Sequence, residues 1–167
     1  WRRKMADALE VPEGGLVLDA ACGTGDVMAE LLDRKKKIRV AGIDFSEKML
    51  ALAKRKAEAS GRDTFFLAAA DVLLPPFAPN TFDAATIAFG IRNIADRKKA
   101  LEIFSGLLRP GGMLAVLELA TPSGKMMRKL YLAYFTKILP AIGGLFSKNI
   151  KAYRYLPASV IGFPAPQ

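Results

Sequence analysis

The chain has 167 residues, enough for a single domain, and its 51% hydrophobic and 25% charged residues are typical of an ordinary globular protein. Histidine is absent, which excludes histidine-based catalysis and the commonest metal ligand, so we expect no metal site, and the single cysteine excludes an internal disulfide and favours a reducing cytoplasm. The net charge of +9 favours an anionic partner, either nucleic acid or an acidic membrane face, although a solvated basic face would have the same composition.

The first two-thirds of the chain alternates short apolar runs with helical patterns, after an opening segment that is typical of the end of a longer helix. The apolar runs predict five strands, at Leu16–Ala20, Val40–Asp44, Thr64–Ala69, Phe82–Ala88 and Met113–Leu119. The helical patterns predict helices at Asp26–Arg34, Glu47–Ser60 and Asp96–Leu108. The sequence RPGG after the last helix predicts a tight turn. Strands that alternate with helices indicate an α/β fold with a doubly wound, mostly parallel sheet and helices on both faces.

From Thr121 onward the pattern changes to a basic helical segment, and no acid follows Glu118. Five apolar residues share one predicted helix face: Met127, Tyr131, Tyr134, Phe135 and Ile138. We therefore expect a single domain in which residues 1–120 form the core and residues 121–167 form a helical lid over the substrate. Open sheets of this type normally have further strands, which we expect to follow Gln167 in the native chain.

The sequence VLDAACGTGD, residues 17–26, is typical of a buried strand followed by a glycine turn between two acids. A dinucleotide fingerprint needs a third glycine, and Met28 occupies that position. Asp19 and Asp26 would repel a pyrophosphate at the helix N-terminus, and no Gly-Lys-Ser/Thr of a Walker loop follows. The turn therefore favours a cationic ligand without phosphate, such as S-adenosylmethionine. The alternative is a bare strand–helix turn that binds nothing.

Polar residues follow the other predicted strands. Asp44 lies about 20 residues after Gly25, where a carboxylate commonly binds a ribose diol. Asp71 follows the third strand and would accept a hydrogen bond from an adenine amino group, or else be a simple turn acid. Arg92 and Asn93 follow the fourth strand. Because the carboxyl ends of parallel strands meet at one edge of an open sheet, we expect these side chains to converge on one site.

Four segments together resemble the class I S-adenosylmethionine-dependent methyltransferases: VLDAACGTGD, GIDFSEKML, NTFDAATIAFGIRNIADRKKAL and LRPGGMLAVLEL. More narrowly, TIAFGIRN and AYRYLPASV resemble the ubiquinone/menaquinone biosynthesis C-methyltransferases, the UbiE type. The resemblance covers the chain from Val17 to about Ile161. It implies a Rossmann-like class I methyltransferase fold with a helical insertion after the fifth strand, and S-adenosyl-L-methionine as the cofactor.

The resemblance and the glycine turn together predict the cofactor site. Its residues are Asp19, Gly23, Thr24, Gly25, Asp44, Phe45, Asp71, Val72 and Ala88. The two glycines would let the backbone approach the methionine part of the cofactor. Relatives vary at the position of Cys22, so we do not expect it to be a nucleophile.

The resemblance implies methyl transfer to a ring carbon of a polyprenylated quinol. We expect Arg92 and Asn93 to hold a quinol oxygen or a water that accepts the proton, with Arg92 also stabilising the developing negative charge. The alternative for Arg92 is a loop arginine paired with Asp96. The basic helical segment would lie on an anionic membrane or pack over the pocket.

Other functions stay open at this point. A methyltransferase of another small molecule or of RNA would use the same cofactor, but no Asn/Asp-Pro-Pro-Tyr/Phe motif follows the fourth strand, so we expect no nucleic-acid partner. A non-catalytic scaffold that binds the cofactor is a further alternative. We expect a cytoplasmic protein, peripheral on the inner membrane face, and a homodimer is compatible with the sequence.

Overall fold

The computed structural model of the chain describes residues 1–35, 37–59, 61, 63–122, 124–134 and 160. The chain consists of two compact units, Trp1–Leu117 and Glu118–Gln167. Phe135 and Ile138, which were predicted to share a helix face, lie outside the described residues. None of the described helices is long and apolar enough to cross a membrane.

The described part of the first unit alternates strands and helices. Its strands are β1 Leu16–Ala20, β2 Arg39–Asp44, β3 Phe65–Ala69, β4 Phe82–Ala88 and β5 Leu108–Leu117. Its helices are α1 Arg2–Ala8, α2 Asp26–Arg34, α3 Glu47–Ala59 and α4 Arg97–Leu107, with a 3-10 turn at Ile91–Asn93. The second unit contains α5, Lys125–Ala133, so a helix follows β5 as predicted.

The five strands form one parallel sheet in the order β3-β2-β1-β4-β5. β1 is the central strand, and Val17, Leu18 and Ala20 on it are completely buried. Buried apolar side chains on both faces of β1 are what a parallel strand covered on both sides requires. The predicted parallel α/β sheet flanked by helices is therefore confirmed.

The RPGG sequence differs from its prediction. Instead of a tight turn before the strand, it lies inside β5 as an irregular stretch. Phe82 pairs with Leu108 but Ala84 pairs with Met113, so β5 accommodates extra residues opposite β4. Gly111 has a φ of 81°, which a residue with a side chain adopts only with strain. A β-bulge explains the difference, since the turn residues are absorbed without ending the ladder.

Helix α1 brings the opening residues of the chain to the cavity side of the sheet. It buries Met5 and Ala6 in the same hydrophobic cluster as Val27 and Leu31 of α2. The apolar contact between the two helices fixes where the exposed face of α1 lies. Its first residue, Arg2, thereby comes close to the glycine turn.

Candidate active site

A cavity of about 710 Å³ opens at the carboxyl ends of β1, β2, β3 and β4. This volume lies within the usual range for small-molecule sites, and strand ends are where open α/β sheets bind ligands. Most of the predicted site residues line it: Asp19, Gly23, Thr24, Asp44, Phe45, Asp71, Val72, Ala88 and Asn93. Gly25 and Arg92 are not among the lining residues. Within the described part of the chain, no group of three or more acidic or cysteine side chains could hold a metal ion.

Asp19 is the most unusual residue of the cavity because its carboxylate is completely buried, at 1% exposure. Its Oδ1 accepts a hydrogen bond of 2.8 Å from Thr86 Oγ1. Its Oδ2 has no hydrogen-bond partner among the described residues. Burial raises the pKa of Asp19 to about 7, although the Thr86 hydrogen bond and the Met28 backbone N–H oppose the rise. A buried acceptor that lacks a donor and lines a cavity fits a ligand that brings a positively charged donor.

The glycine turn after β1 uses its two glycines in different ways. Gly23 has a φ of 54°, and a Cβ added to it would meet nothing within 4 Å, so the backbone there is open to a ligand. Gly25 has a φ of 75°, and its Cβ would lie 3.0 Å from Ala53 Cβ and 3.0 Å from Met28 Cε. Gly25 is therefore needed where α3 packs against the start of α2, whereas Gly23 lines the cavity and offers its backbone there.

Asp44, at the end of β2, is held by two backbone N–H groups. Its Oδ2 accepts from Gly23 N at 2.9 Å and its Oδ1 accepts from Ser46 N at 2.9 Å. These bonds fix the carboxylate and also join the glycine turn of β1 to the end of β2. Each carboxylate oxygen can accept a second hydrogen bond, so both remain available to a ligand.

Asp26 has a different role from the one expected from the sequence. Lys56 Nζ donates to its Oδ1, and Arg2 Nη2 lies 3.1 Å from its Oδ2. The hydrogen bond from Lys56 is the main reason why the pKa of Asp26 is lowered. Two cations therefore compensate its charge. Asp19 and Asp44, rather than Asp26, supply the negative charge that a ligand meets at this turn.

Asp71 and Cys22 both line the cavity, and the surrounding structure limits what each side chain can do. Asp71 Oδ1 accepts from Leu73 N at 2.8 Å, so Asp71 shapes its own turn as well as lining the cavity. Burial, followed by the charges of Asp19 and Asp44, raises the pKa of Cys22 well above its usual value. The thiol therefore stays protonated, and the structure supports the expectation that it is not a nucleophile.

The segment after β4 is strained where it meets the cavity. Phe89 has a φ of 56°, and its N–H donates to Leu117 O at 2.7 Å. Arg92 Nη1 donates to Phe89 O at 2.6 Å, so this guanidinium is tied to the turn while neighbouring Asn93 lines the cavity. Asp96, the alternative partner predicted for Arg92, caps α4 by accepting from Lys99 N at 2.9 Å.

Several lining residues were not predicted from the sequence, among them Arg2, Met49, Phe89 and Ile94. Phe89 directly follows β4, so the strand-end rule could have included it. Arg2 carries no such signal, because the packing of α1 against α2 brings it to the cavity.

The sequence profile of the ubiE/COQ5 methyltransferase family matches residues 1–167. The chain belongs to this family. The prediction of an S-adenosylmethionine-dependent methyltransferase is therefore confirmed.

Curated relatives are similar over the whole chain. A demethylmenaquinone methyltransferase of Thermus thermophilus is 48% identical over 167 residues, which are 100% of this chain and 76% of the relative. A ubiquinone/menaquinone biosynthesis C-methyltransferase UbiE of Geobacter sulfurreducens is 43% identical over 171 residues, covering 100% of this chain and 66% of the relative. The chain thus spans about two-thirds to three-quarters of the length of these two relatives.

Solved structures agree on the fold. An S-adenosylmethionine-dependent methyltransferase of Aquifex aeolicus has a TM-score of 0.66 at 24% identity, over 74% of this chain and 66% of its own. The [4+2]-cyclase SpnF has a TM-score of 0.73 at 17% identity, over 95% of this chain and 71% of its own. At these identities the likeness shows the fold alone, and the cyclase illustrates that one fold carries different reactions.

The raised pKa of Asp19 predicts how the stability of the ligand-free protein changes with pH. The unfolded chain ionises Asp19 near 3.8 and the folded chain near 7, so this residue lowers the stability as pH rises through that window. Asp19→Asn removes this loss. Between pH 5 and 7, the variant should gain about 2 kcal/mol relative to the wild type, in urea unfolding at each pH. If the unfolding free energies of the two proteins changed with pH in parallel, Asp19 would ionise as easily in the folded as in the unfolded chain, and the prediction would be wrong.

Proposed function

We propose that this methyltransferase transfers a methyl group to a ring carbon of a prenylated quinol in ubiquinone/menaquinone biosynthesis. The observation that carries the proposal is Asp19, which lines the cavity and whose buried Oδ2 has no hydrogen-bond partner among the described residues, so a cationic cofactor in the cavity would offset its charge. The substrate class comes from the names of the relatives in Thermus and Geobacter.

The cavity residues divide between the parts of the cofactor. Asp19 would accept from the α-ammonium group, and the remaining lone pairs of Asp44 would accept the ribose hydroxyls. Phe45 lines the cavity and is 85% exposed, so its ring can cover the adenine, whose amino group Asp71 would bind. Val72 and Ala88 would complete the apolar wall, and Thr24 the glycine turn. When bound, S-adenosylmethionine supplies a methyl group activated by the sulfonium.

The residues after β4 would act on the quinol. Asn93 lines the cavity, where its amide can hold a quinol oxygen or a water that accepts the ring proton. Arg92 does not itself line the cavity, and its guanidinium donates to Phe89 O through Nη1. From this position beside the cavity, its positive charge would stabilise negative charge that develops on the quinol oxygen. Most of the remaining rate enhancement would come from holding the reactants together.

The reaction is tested by incubating the protein with labelled S-adenosylmethionine and, in separate reactions, a demethylated benzoquinol, a demethylated naphthoquinol and RNA. Label in either quinol, on carbon, supports the proposal and identifies the quinone. Label in RNA alone, or in none of the substrates while the cofactor binds, contradicts it.

Asp44→Ala should weaken cofactor binding at least tenfold, because a charged hydrogen-bond partner contributes roughly 1.5–3 kcal/mol. The same change also removes the acceptor for Gly23 N and Ser46 N, which loosens the glycine turn. Asp44→Asn should be milder, since its amide oxygen still accepts. Calorimetry with S-adenosylmethionine measures both variants, and unchanged affinity in Asp44→Ala would remove this residue from the site.

Arg92→Ala should lower turnover far more than cofactor affinity, since a group that meets charge developing on the substrate acts in the transition state. Steady-state kinetics and cofactor calorimetry on the same preparation separate the two quantities. Arg92→Lys should restore part of the turnover, because it keeps the charge. Equal and small losses in turnover and affinity would mean that Arg92 only supports the Phe89 turn.

We further propose that α5 docks on an anionic membrane that holds the prenyl tail of the substrate. Four large apolar side chains on or next to this helix are exposed: Met126, Met127, Leu130 and Tyr134. Arg128 and Lys129 are exposed between them, and residues 125–134 contain no acid. Exposed apolar and basic side chains on one short helix suit an interface with anionic lipid.

Docking should be measurable by sedimentation with vesicles that contain anionic lipid, and it should weaken as salt screens the attraction. Replacing Arg128 and Lys129 with Gln should reduce vesicle binding and slow turnover of a long-tailed quinol. Turnover of a short-tailed, soluble analogue should stay nearly unchanged, because the cavity is untouched. Equal losses with both substrates would indicate a lid that shapes the pocket, and absence of vesicle binding at low salt would contradict docking.

Three further expectations from the sequence stay predictions. They are a homodimer, the absence of a nucleic-acid partner and a cytoplasmic location at the inner membrane face.

A further inference from the structure

The charges that line the cavity are unbalanced. Four of the described lining residues are acids: Asp19, Asp26, Asp44 and Asp71. Among the same residues, Arg2 is the one with a positive charge. The cofactor carries a carboxylate as well as its ammonium and sulfonium groups. Lys56 compensates Asp26, but the other acids repel a carboxylate wherever no cation faces it, so the position of Arg2 decides where that end of the cofactor can lie.

Arg2 lies between the glycine turn and the end of β4. Its Nη2 is 3.1 Å from Asp26 Oδ2, at the start of α2. Its guanidinium carbon is 6.0 Å from the centre of the Phe89 ring, directly after β4. In the strand order β3-β2-β1-β4-β5, this is the side of the cavity away from Asp71 at the end of β3. The adenosine end and the amino-acid end of a cofactor therefore meet different charges.

We propose that Arg2 binds the α-carboxylate of S-adenosylmethionine. The inference rests on the cofactor assigned above and adds the partner of its one negative group. A guanidinium has five N–H donors in a planar fork that suits a carboxylate, so the contact with Asp26 leaves donors for the ligand.

The charges at this end of the cavity then balance. Lys56 also pairs with Asp26, and Lys56 does not line the cavity. Together the two cations, Arg2 and Lys56, match two anions, Asp26 and the cofactor carboxylate. The pair between Lys56 and Asp26 keeps that acid compensated while Arg2 binds the ligand.

The strained turn at Phe89 supports Arg2. A φ of 56° is uncommon for a residue with a side chain, and it is retained here by the bonds from Phe89 N to Leu117 O and from Arg92 to Phe89 O. The ring of Phe89 faces the guanidinium at a distance at which a cation is attracted to an aromatic face. Phe89 is thus a positioning residue for Arg2.

The test compares two ligands that differ only in the carboxylate, S-adenosylmethionine and decarboxylated S-adenosylmethionine, by calorimetry on the full chain. Arg2→Gln should weaken binding of S-adenosylmethionine about tenfold, as expected for loss of a charge-assisted contact at a partly exposed site. The same change should leave the affinity for decarboxylated S-adenosylmethionine within about twofold of the wild-type value. Arg2→Lys should restore part of the preference for S-adenosylmethionine over the decarboxylated ligand. Phe89→Leu should lower this preference less than Arg2→Gln does.

Lys56→Gln is the matched control, because it removes the other cation from Asp26 at a residue that does not itself line the cavity. Its Nζ also donates to Thr24 Oγ1 at 3.5 Å, a contact that does not distinguish the two ligands. The variant should change the affinities for both ligands by the same factor. If Arg2→Gln also changes both equally, Arg2 acts through Asp26 or the fold and the inference is overturned, while methyl transfer stands. If the wild-type protein binds neither ligand, the proposed function itself fails.

Discussion

The buried carboxylate of Asp19 constrains the centre of this fold. Asp19 lies on the central strand, in register with Gly42 of β2 and Thr86 of β4. Thr86 Oγ1 donates to Oδ1, while Oδ2 has no donor in the part of the chain that the structure describes. Gly42 has no room for a side chain, because a Cβ there would lie 2.8 Å from Leu67 Cδ2 and 3.1 Å from Cys22 Sγ. The neighbours of Asp19 are therefore fixed by packing, and they leave its Oδ2 without a donor.

An enclosed, half-satisfied carboxylate destabilises the ligand-free protein, so its presence needs a functional reason. The proposed cofactor provides that reason, because it would complete the site. Its ammonium would pair with Asp19, while Asp44 already has a fixed orientation from two backbone N–H groups. Strain collects at the same edge of the sheet, at Ala21 and Phe89, both with a left-handed backbone although neither is glycine. Site preorganisation of this kind commonly costs stability.

Much of the fold and part of the site could be predicted from the sequence, for a physical reason. The bounds of β1, β4 and α2 follow from apolar runs and helical spacing, which report burial directly. The strand-end rule places polar residues of distant segments in one cavity without any knowledge of packing. Neither signal reports side-chain partners or register.

The remaining features depend on tertiary contacts. The bulge at Gly111 follows from the register between β4 and β5, which periodicity does not encode. Gly25 was expected at the ligand, but its lack of a side chain serves the approach of Ala53 on α3. The charge of Asp26 is compensated from α3 and α1, by Lys56 and Arg2, whose spacing along the chain gives no signal.

The role of Asp19 is tested most directly by counting the protons released when S-adenosylmethionine binds at pH 7. Calorimetry in buffers with different enthalpies of ionisation gives that number. Asp19 has a pKa of about 7 in the ligand-free protein, so it is about half protonated at this pH and should ionise when a cation binds beside it. The wild-type protein should therefore release about half a proton more per cofactor than Asp19→Asn. Equal proton release by the two proteins would contradict the claim that Asp19 is the counter-charge of the cofactor.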